Sequence, residues 1–302
     1  MNLKSLRTFV EVAEQGHFGR AAESLEMTQS GLSQQIKALE KSVGAKLIAR
    51  TTRSVSLTGA GEIFLEHARD LLESEKLFNL RTSNALNGDE GTVRLGFVAS
   101  AALGIVPQLA QITHEHAPGL QLSLVEMTSE EQIAKLISGD IDVGLLREIQ
   151  SSPGMDLEQI LQEPLLVAVH SGHRLGNKKK VRLEELSEEG FIMFPRTKVS
   201  YLHDHIYRLC DSAGFTPHVV EKAVQFATIL GLVSSNAGLA IVPKSMTAIQ
   251  LPNVKFLELE HTDAFSRIYV ARRVDNRASP GAKRLTGLAS EHKQRLQMAM
   301  FG

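Results

Sequence analysis

A chain of 302 residues with 43% hydrophobic and 22% charged residues has the composition of an ordinary globular protein, with room for two or three domains and a sizeable core. The single cysteine, Cys210, excludes an internal disulfide or a cysteine-based zinc finger and reads as a buried thiol, while a net charge of −1 does not by itself announce a nucleic-acid partner. No apolar run approaches the roughly 20 residues that span a bilayer and Met1-Asn2-Leu3-Lys4 lacks a signal-peptide core, so a cytoplasmic protein with no membrane partner is expected.

Residues 3–15 repeat apolar positions at Leu3, Leu6, Phe9, Val10 and Ala13, an amphipathic helix that Gly16 ends. Residues 18–42 read as two short helices with a tight break between them. Ala21, Ala22 and Leu25 form a stripe of small residues that lets another helix approach closely, and Thr28 is a good N-cap for the second helix. From there Leu32, Ile36 and Leu39 recur at helical spacing on one face. The other face shows Gln29, Ser30, Ser33, Gln34 and Lys37: hydrogen-bonding groups with almost no charge, suited to reading base edges. Two short β-prone runs, 46–50 and 55–58, flank the polar tip Thr51-Thr52-Arg53-Ser54 and read as a hairpin. Three helices and a basic hairpin make a winged helix-turn-helix over residues 1–58, with Arg50 and Arg53 placed to meet phosphates or enter the minor groove. Residues 1–58 hold eight basic and five acidic side chains, an excess of three that leaves −4 for the remainder.

The stretch from Leu3 to Thr58, with Phe9, Ala21-Ala22, Gln29-Ser30-Gly31-Leu32-Ser33, Ile36, Leu39-Glu40, Leu47, Arg50 and Leu57-Thr58-Gly61, resembles the DNA-binding domain of the LysR-type transcriptional regulators. Ser30-Gly31 stands where proline or alanine is commoner in that family, and Gln34 where arginine often sits; the second departure bears on the target sequence.

Residues 59–87 contain no proline and, after Gly61, no glycine. Phe64, Ala68, Leu71, Phe78, Thr82 and Ala85 follow a three-four spacing that Glu75 interrupts, giving about 43 Å of helix that needs a partner for its stripe. The family resemblance implies antiparallel pairing of two such helices in a homodimer or homotetramer, and RNA polymerase as a further partner. Residues 88–91 read as a flexible hinge.

From residue 92 to 302, strands alternate with helices, the mark of an α/β domain. Strands are expected at 93–98, 120–127, 141–146, 165–170, 191–194, 219–223, 239–242 and 268–272. Helices are expected up to about 116, at 130–137, 201–213 and 227–234, and from about 280. Such sheets bind ligands at the carboxyl ends of strands, near helix N-termini. Ser100, Thr128 and Ser129, and the loop 195–200 with Thr197, lie at such ends, and Gln225-Phe226 precedes a helix; hydroxyls beside helix N-termini suit a carboxylate. Ser129 with Gln132 is read as a capping box.

This region resembles the effector-binding domain of the same regulators, a bilobed fold of periplasmic-binding-protein type, with lobe I at about 92–163 and 268–302 and lobe II at about 164–267. Gly96-Phe97-Val98-Ala99-Ser100, Glu126-Met127-Thr128-Ser129 and 231–243 look most like the branch controlling aromatic-compound catabolism. That resemblance implies that Ser100 and Ser129 hold an effector carboxylate, that Thr197 and Phe226 line the pocket, and that Arg147 helps as a cation. No metal or other cofactor is expected: His114 with His116 and His203 with His205 point apart on their helices, and neither a Gly-x-Ser-x-Gly elbow nor a Gly-x-x-x-x-Gly-Lys loop is present. The resulting expectation is a ligand-responsive, DNA-binding regulator that is not an enzyme. Its alternative is a small-carboxylate binding module or enzyme whose amino-terminal helices only dimerise.

Overall fold

A computed structural model describes residues 1–50, 55–147, 153–261, 263–274 and 279–298, and the chain divides into two compact units, 1–83 and 84–302.

In the first unit, α1 (Leu3–Gln15), α2 (Phe18–Ser24) and α3 (Gln29–Val43) enclose a core of Phe9, Val12, Phe18, Ala21, Ala22, Leu32, Ile36 and Leu39. Each helix is bounded locally. Asn2 closes a capping box with Ser5 at the start of α1, and Gly16 ends it in the left-handed conformation; Gly44 does the same for α3. Strands β1 (Ile48–Arg50) and β2 (Val55–Leu57) pair antiparallel, Ile48 opposite Leu57. Helix α4 (Gly59–Asn87) then begins where the Thr58 hydroxyl donates to the Lys46 carbonyl (2.6 Å) and accepts from the Gly61 N–H (3.0 Å). A Cβ on Gly61 would lie 2.0 Å from the Leu47 carbonyl oxygen, so only glycine lets α4 pass the wing this closely. The early turns of α4 pack on α1 through Phe64 edge-on to Phe9 (5.1 Å) and through Arg7–Glu75 and Arg69–Glu14 pairs at 2.7 Å. Glu75, which breaks the apolar stripe in the sequence, is thus the partner of Arg7.

The second unit holds β3 (Glu90–Phe97), α5 (Ile105–His116), β4 (Gly119–Glu126), α6 (Ser129–Ser138), β5 (Val143–Arg147), β6 (Met155–His170), β7 (Lys180–Val181), β8 (Gly190–Met193), α7 (Ser200–Ser212), β9 (His218–Lys222), α8 (Phe226–Ser234), β10 (Ala240–Pro243), β11 (Val254–Leu259), β12 (Phe265–Arg273), α9 (Pro280–Glu291) and α10 (Lys293–Met298). The long sheet runs β4-β3-β5-β12-β6-β11-β7, with β10 also on β6; β8 and β9 pair in parallel beside it. Strand β6 changes partners along its length: residues 155–164 pair with β12, and 165–170 with β10 and β11. One apolar core (Leu95, Leu109, Ile112, Leu145, Leu288) lies on one side of that switch, and another (Val167, Phe191, Ile206, Ile229, Leu257) on the other. Cys210 is fully buried in the second core, and burial pushes its thiol up to about 12.

Three expectations need correction. Residues 88–91 are not a loose hinge: Gly88 sits at φ +84° with a would-be Cβ 2.3 Å from the Pro280 carbonyl oxygen, Asp89 accepts from Arg284 Nε (2.8 Å), and Glu90 already belongs to β3. The strand expected at 165–170 is only the second half of β6, and β11 lies in a stretch assigned no element. Last, α6 is capped by Thr128 with Glu131, not by Ser129 with Gln132; the Gln132 amide donates to the Met127 and Leu145 carbonyls instead.

Candidate functional site

Helix α3 has two distinct faces. Leu32, Ile36 and Leu39 are buried, whereas Gln29, Ser30, Gln34 and Lys37 are exposed and Ser33 is half-buried. Thr28 Oγ1 accepts from the Gly31 N–H (3.2 Å), fixing the first turn and with it the presentation of Gln29 and Ser30. The carboxyl end of α3 is held by Glu40, a buried carboxylate that accepts from the Leu47 and Ile48 N–H groups (3.0 and 3.2 Å) and from Lys46 Nζ (2.8 Å). Burial alone would raise its pKa, but the ammonium and the two backbone donors outweigh it and hold the carboxyl below its usual range. Glu40 therefore ties the exposed face of α3 to the wing. It stands in the family-like motif, yet nothing in the spacing distinguishes it from a solvated glutamate. Arg53 lies outside the described residues, as does the side chain of Arg50, whose backbone ends β1.

The second site is a cleft of about 300 Å³ in the carboxy-terminal unit. Its floor is made where β3, β4 and β5 end: Val98, Ala99 and Ser100, then Glu126, Met127 and Thr128, then Arg147, with Ser129, Glu130 and Glu131 from the first turn of α6. Opposite stand Phe194 after β8, Lys198, Val199, Tyr201 and Leu202 around the start of α7, and Val224, Gln225 and Phe226 after β9, with Phe194 and Phe226 edge-to-face at 5.0 Å.

Of the residues expected there, Ser100, Thr128, Ser129, Arg147 and Phe226 converge on this cleft. Thr197 does not: it is exposed in the turn before α7, and its neighbour Lys198 enters the cleft instead. Arg147 is also less available than a free cation. It is 5% exposed, and its guanidinium donates to Ser100 Oγ (2.9 Å), to Ser266 Oγ and to Glu163 Oε1 (2.8 Å). Glu163, fully buried, accepts in turn from the Ser245 N–H (2.6 Å) and hydroxyl (3.1 Å). Because Ser100 Oγ accepts from a guanidinium, its own O–H is left to donate and is polarised for that task. The Ser129 hydroxyl bridges the backbone N–H and C=O of Arg147, and the Thr128 hydroxyl is engaged by the α6 cap. Glu163 and Ser245 were invisible in the sequence, since their meeting depends on β6 changing partners between them. Among the described residues no group of three or more His, Cys, Asp or Glu side chains is arranged to hold a metal ion, and no helix is long and apolar enough to cross a membrane.

Comparison with known proteins matches residues 3–62 to the bacterial regulatory helix-turn-helix of the lysR family and residues 86–294 to the LysR substrate binding domain. An uncharacterised HTH-type transcriptional regulator of Escherichia coli K12, YnfL, is 37% identical over 284 residues, covering 94% of this chain and 96% of its own. The HTH-type transcriptional regulator BenM of Acinetobacter baylyi is 33% identical, covering 90% of each chain, and its effector-binding domain has been solved with its effector benzoate (TM-score 0.62, 29% identity, 68% of this chain and 92% of that one). The crystal structure of CbnR, a LysR-family regulator, superposes with a TM-score of 0.87 at 30% identity over 96% of this chain and all of that one; full-length CbnR on its target DNA gives 0.82 at 29% over 97% and 100%.

Proposed function

The chain belongs to the LysR family of bacterial transcriptional regulators, and on that premise we propose that α3 reads its operator while the cleft of the carboxy-terminal unit senses an organic acid of the kind used in aromatic-compound catabolism. It is a DNA-binding regulator with an effector-binding domain and self-associates as its family does; it is not an enzyme. Gln29, Ser30, Ser33 and Gln34 read base edges in the major groove, and Lys37, with Arg50 and Arg53 of the wing, fixes the position on the backbone. The exposed, nearly uncharged polar face of α3, backed by a fully buried apolar face, is the observation that carries this assignment.

In the cleft, the Ser100 O–H donates to one effector carboxylate, Lys198 supplies the charge, and the edge-to-face pair Phe194–Phe226 supplies an apolar wall for a flat carbon skeleton. Ser129 and Arg147 position Ser100 and the first turn of α6. Effector binding shifts the population of carboxy-terminal units toward one arrangement of the lobes, which is how a small molecule alters an assembly on DNA. Thermal-shift screening with benzoate, muconate and related acids tests this reading. Stabilisation by some acids, abolished in Ser100→Ala, is expected; no stabilisation by any carboxylate sinks the effector assignment.

A further inference from the structure

Helix α7 begins without a cap of its own. Its N-cap residue is Val199, whose side chain accepts nothing, yet the first N–H groups of a 13-residue helix need an acceptor and favour a negative charge. The acceptor comes from the opposite wall of the cleft. Glu130, in the first turn of α6, accepts through Oε1 from the Ser200 N–H (2.9 Å) and the Ser200 hydroxyl (2.5 Å), 70 positions away in sequence. Val199 and Tyr201, on either side of Ser200, line the cleft together with Glu130, so this carboxylate stands at the border of the ligand space. The rest of the cleft discourages a second anion. Glu126 and Glu131 add carboxylates to its rim, Arg147 is already paired with Glu163, and Lys198, the other cation among the described residues lining the cleft, lies near enough to Glu131 to help lower that carboxyl's pKa.

We propose that Glu130 makes the cleft selective for effectors carrying a single carboxylate, by seating the protein's own carboxylate on the N-terminus of α7, where a second carboxylate of the ligand would otherwise be held. The proposal rests on the reading of the cleft as an organic-acid site and narrows it. One carboxylate meets Ser100 and Lys198; the far end of the ligand is uncharged and lies against Phe194 and Phe226. A diacid must either displace Glu130 from Ser200 or leave its second charge facing the Glu130 carboxylate, and both options cost affinity.

Sorbate and trans,trans-muconate provide the test, because they share a six-carbon diene skeleton and differ only in a methyl group against a second carboxylate. Calorimetric titration of the full-length protein is expected to show sorbate binding at least about tenfold more tightly than muconate, the ratio that one charge-assisted contact is worth. Glu130→Ala, which empties the seat, is expected to gain at least about tenfold for muconate and little for sorbate. Glu130→Gln keeps an acceptor at Ser200 without the charge and should fall between them, which guards against misreading a folding defect. Equal binding of the two acids by the unaltered protein, or an unchanged ratio in both variants, overturns the proposal. If the unaltered protein binds neither acid, the organic-acid reading is left to the wider carboxylate screen, and sulfate at low millimolar concentration decides on Glu130 alone. A rise in melting temperature for Glu130→Ala that exceeds that of the unaltered protein supports the seat; identical responses contradict it.

Discussion

Glu40 and Glu163 are acidic residues whose sequence neighbourhoods look unremarkable, yet each holds a site together. Glu40→Gln keeps the shape but weakens three charge-assisted hydrogen bonds, and a loss of about 1–3 kcal/mol in the amino-terminal unit is expected by denaturant titration. Folding lowers the Glu40 pKa, so its contribution is full above the unfolded value of about 4.3 and fades as pH falls through the lowered folded value. The unaltered protein should therefore lose its advantage over Glu40→Gln in that acid window; a difference that stays constant down to pH 2 contradicts the assignment. Glu163→Ala leaves Arg147 buried without its counter-charge, at a cost of about 3–5 kcal/mol. Because Arg147 orients Ser100, that variant should also lose the stabilisation by organic acids. At this scale the sequence showed which side chains face solvent on α3, because a 3.6-residue period fixes that directly. It could not show Glu40, Glu163 or Glu130, whose partners sit 6 to 82 positions away in folded segments.

Among the elements, α4 was the most legible and is the least satisfied. Glycine and proline are absent from its interior, and the structure gives one helix over Gly59–Asn87, but Ile63, Leu71, Leu77, Phe78, Leu80 and Leu86 remain exposed along it. Such a face is wider than scattered surface leucines account for and is the surface we propose a second copy of the chain covers. Leu71→Glu with Phe78→Glu should shift sedimentation toward the monomer at micromolar concentration; an unchanged assembly places self-association elsewhere. Gly61→Ala should unseat the wing, since its Cβ meets the Leu47 backbone and no side chain can yield; a loss above about 2 kcal/mol is expected from a clash of this kind. The elements missed in the sequence share a cause. The first half of β6 carries Glu158, Gln159, Gln162, Glu163 and Pro164, a polar run whose strand character comes from pairing with β12. Residues 88–91 carry turn chemistry, but Arg284 and Pro280, nearly 200 positions away, turn that chemistry into a fixed connection.

For the whole molecule, the order of parts was readable because each changes period: short helices and a wing, one long helix, then alternating strands and helices. Where the two halves of the cleft meet was not readable, because that depends on β6 changing partners near Pro164 and Leu165. On the proposed reading, recognition of DNA and of an acid rest on different physics. The first rests on an exposed neutral polar face, and the second on a hydroxyl polarised from beneath by a buried ion pair.

That division makes base reading by α3 the central claim. Its direct measurement is fluorescence anisotropy of the full-length protein on its own upstream DNA and on a scrambled duplex, over a range of salt. Gln29→Ala with Gln34→Ala should cost about 1–3 kcal/mol per lost base contact on the upstream DNA, with little change on the scrambled duplex. Lys37→Ala should weaken both and reduce the salt slope by about one. If the glutamine substitutions weaken both duplexes equally, or leave both unchanged, α3 does not read the sequence and the account is wrong.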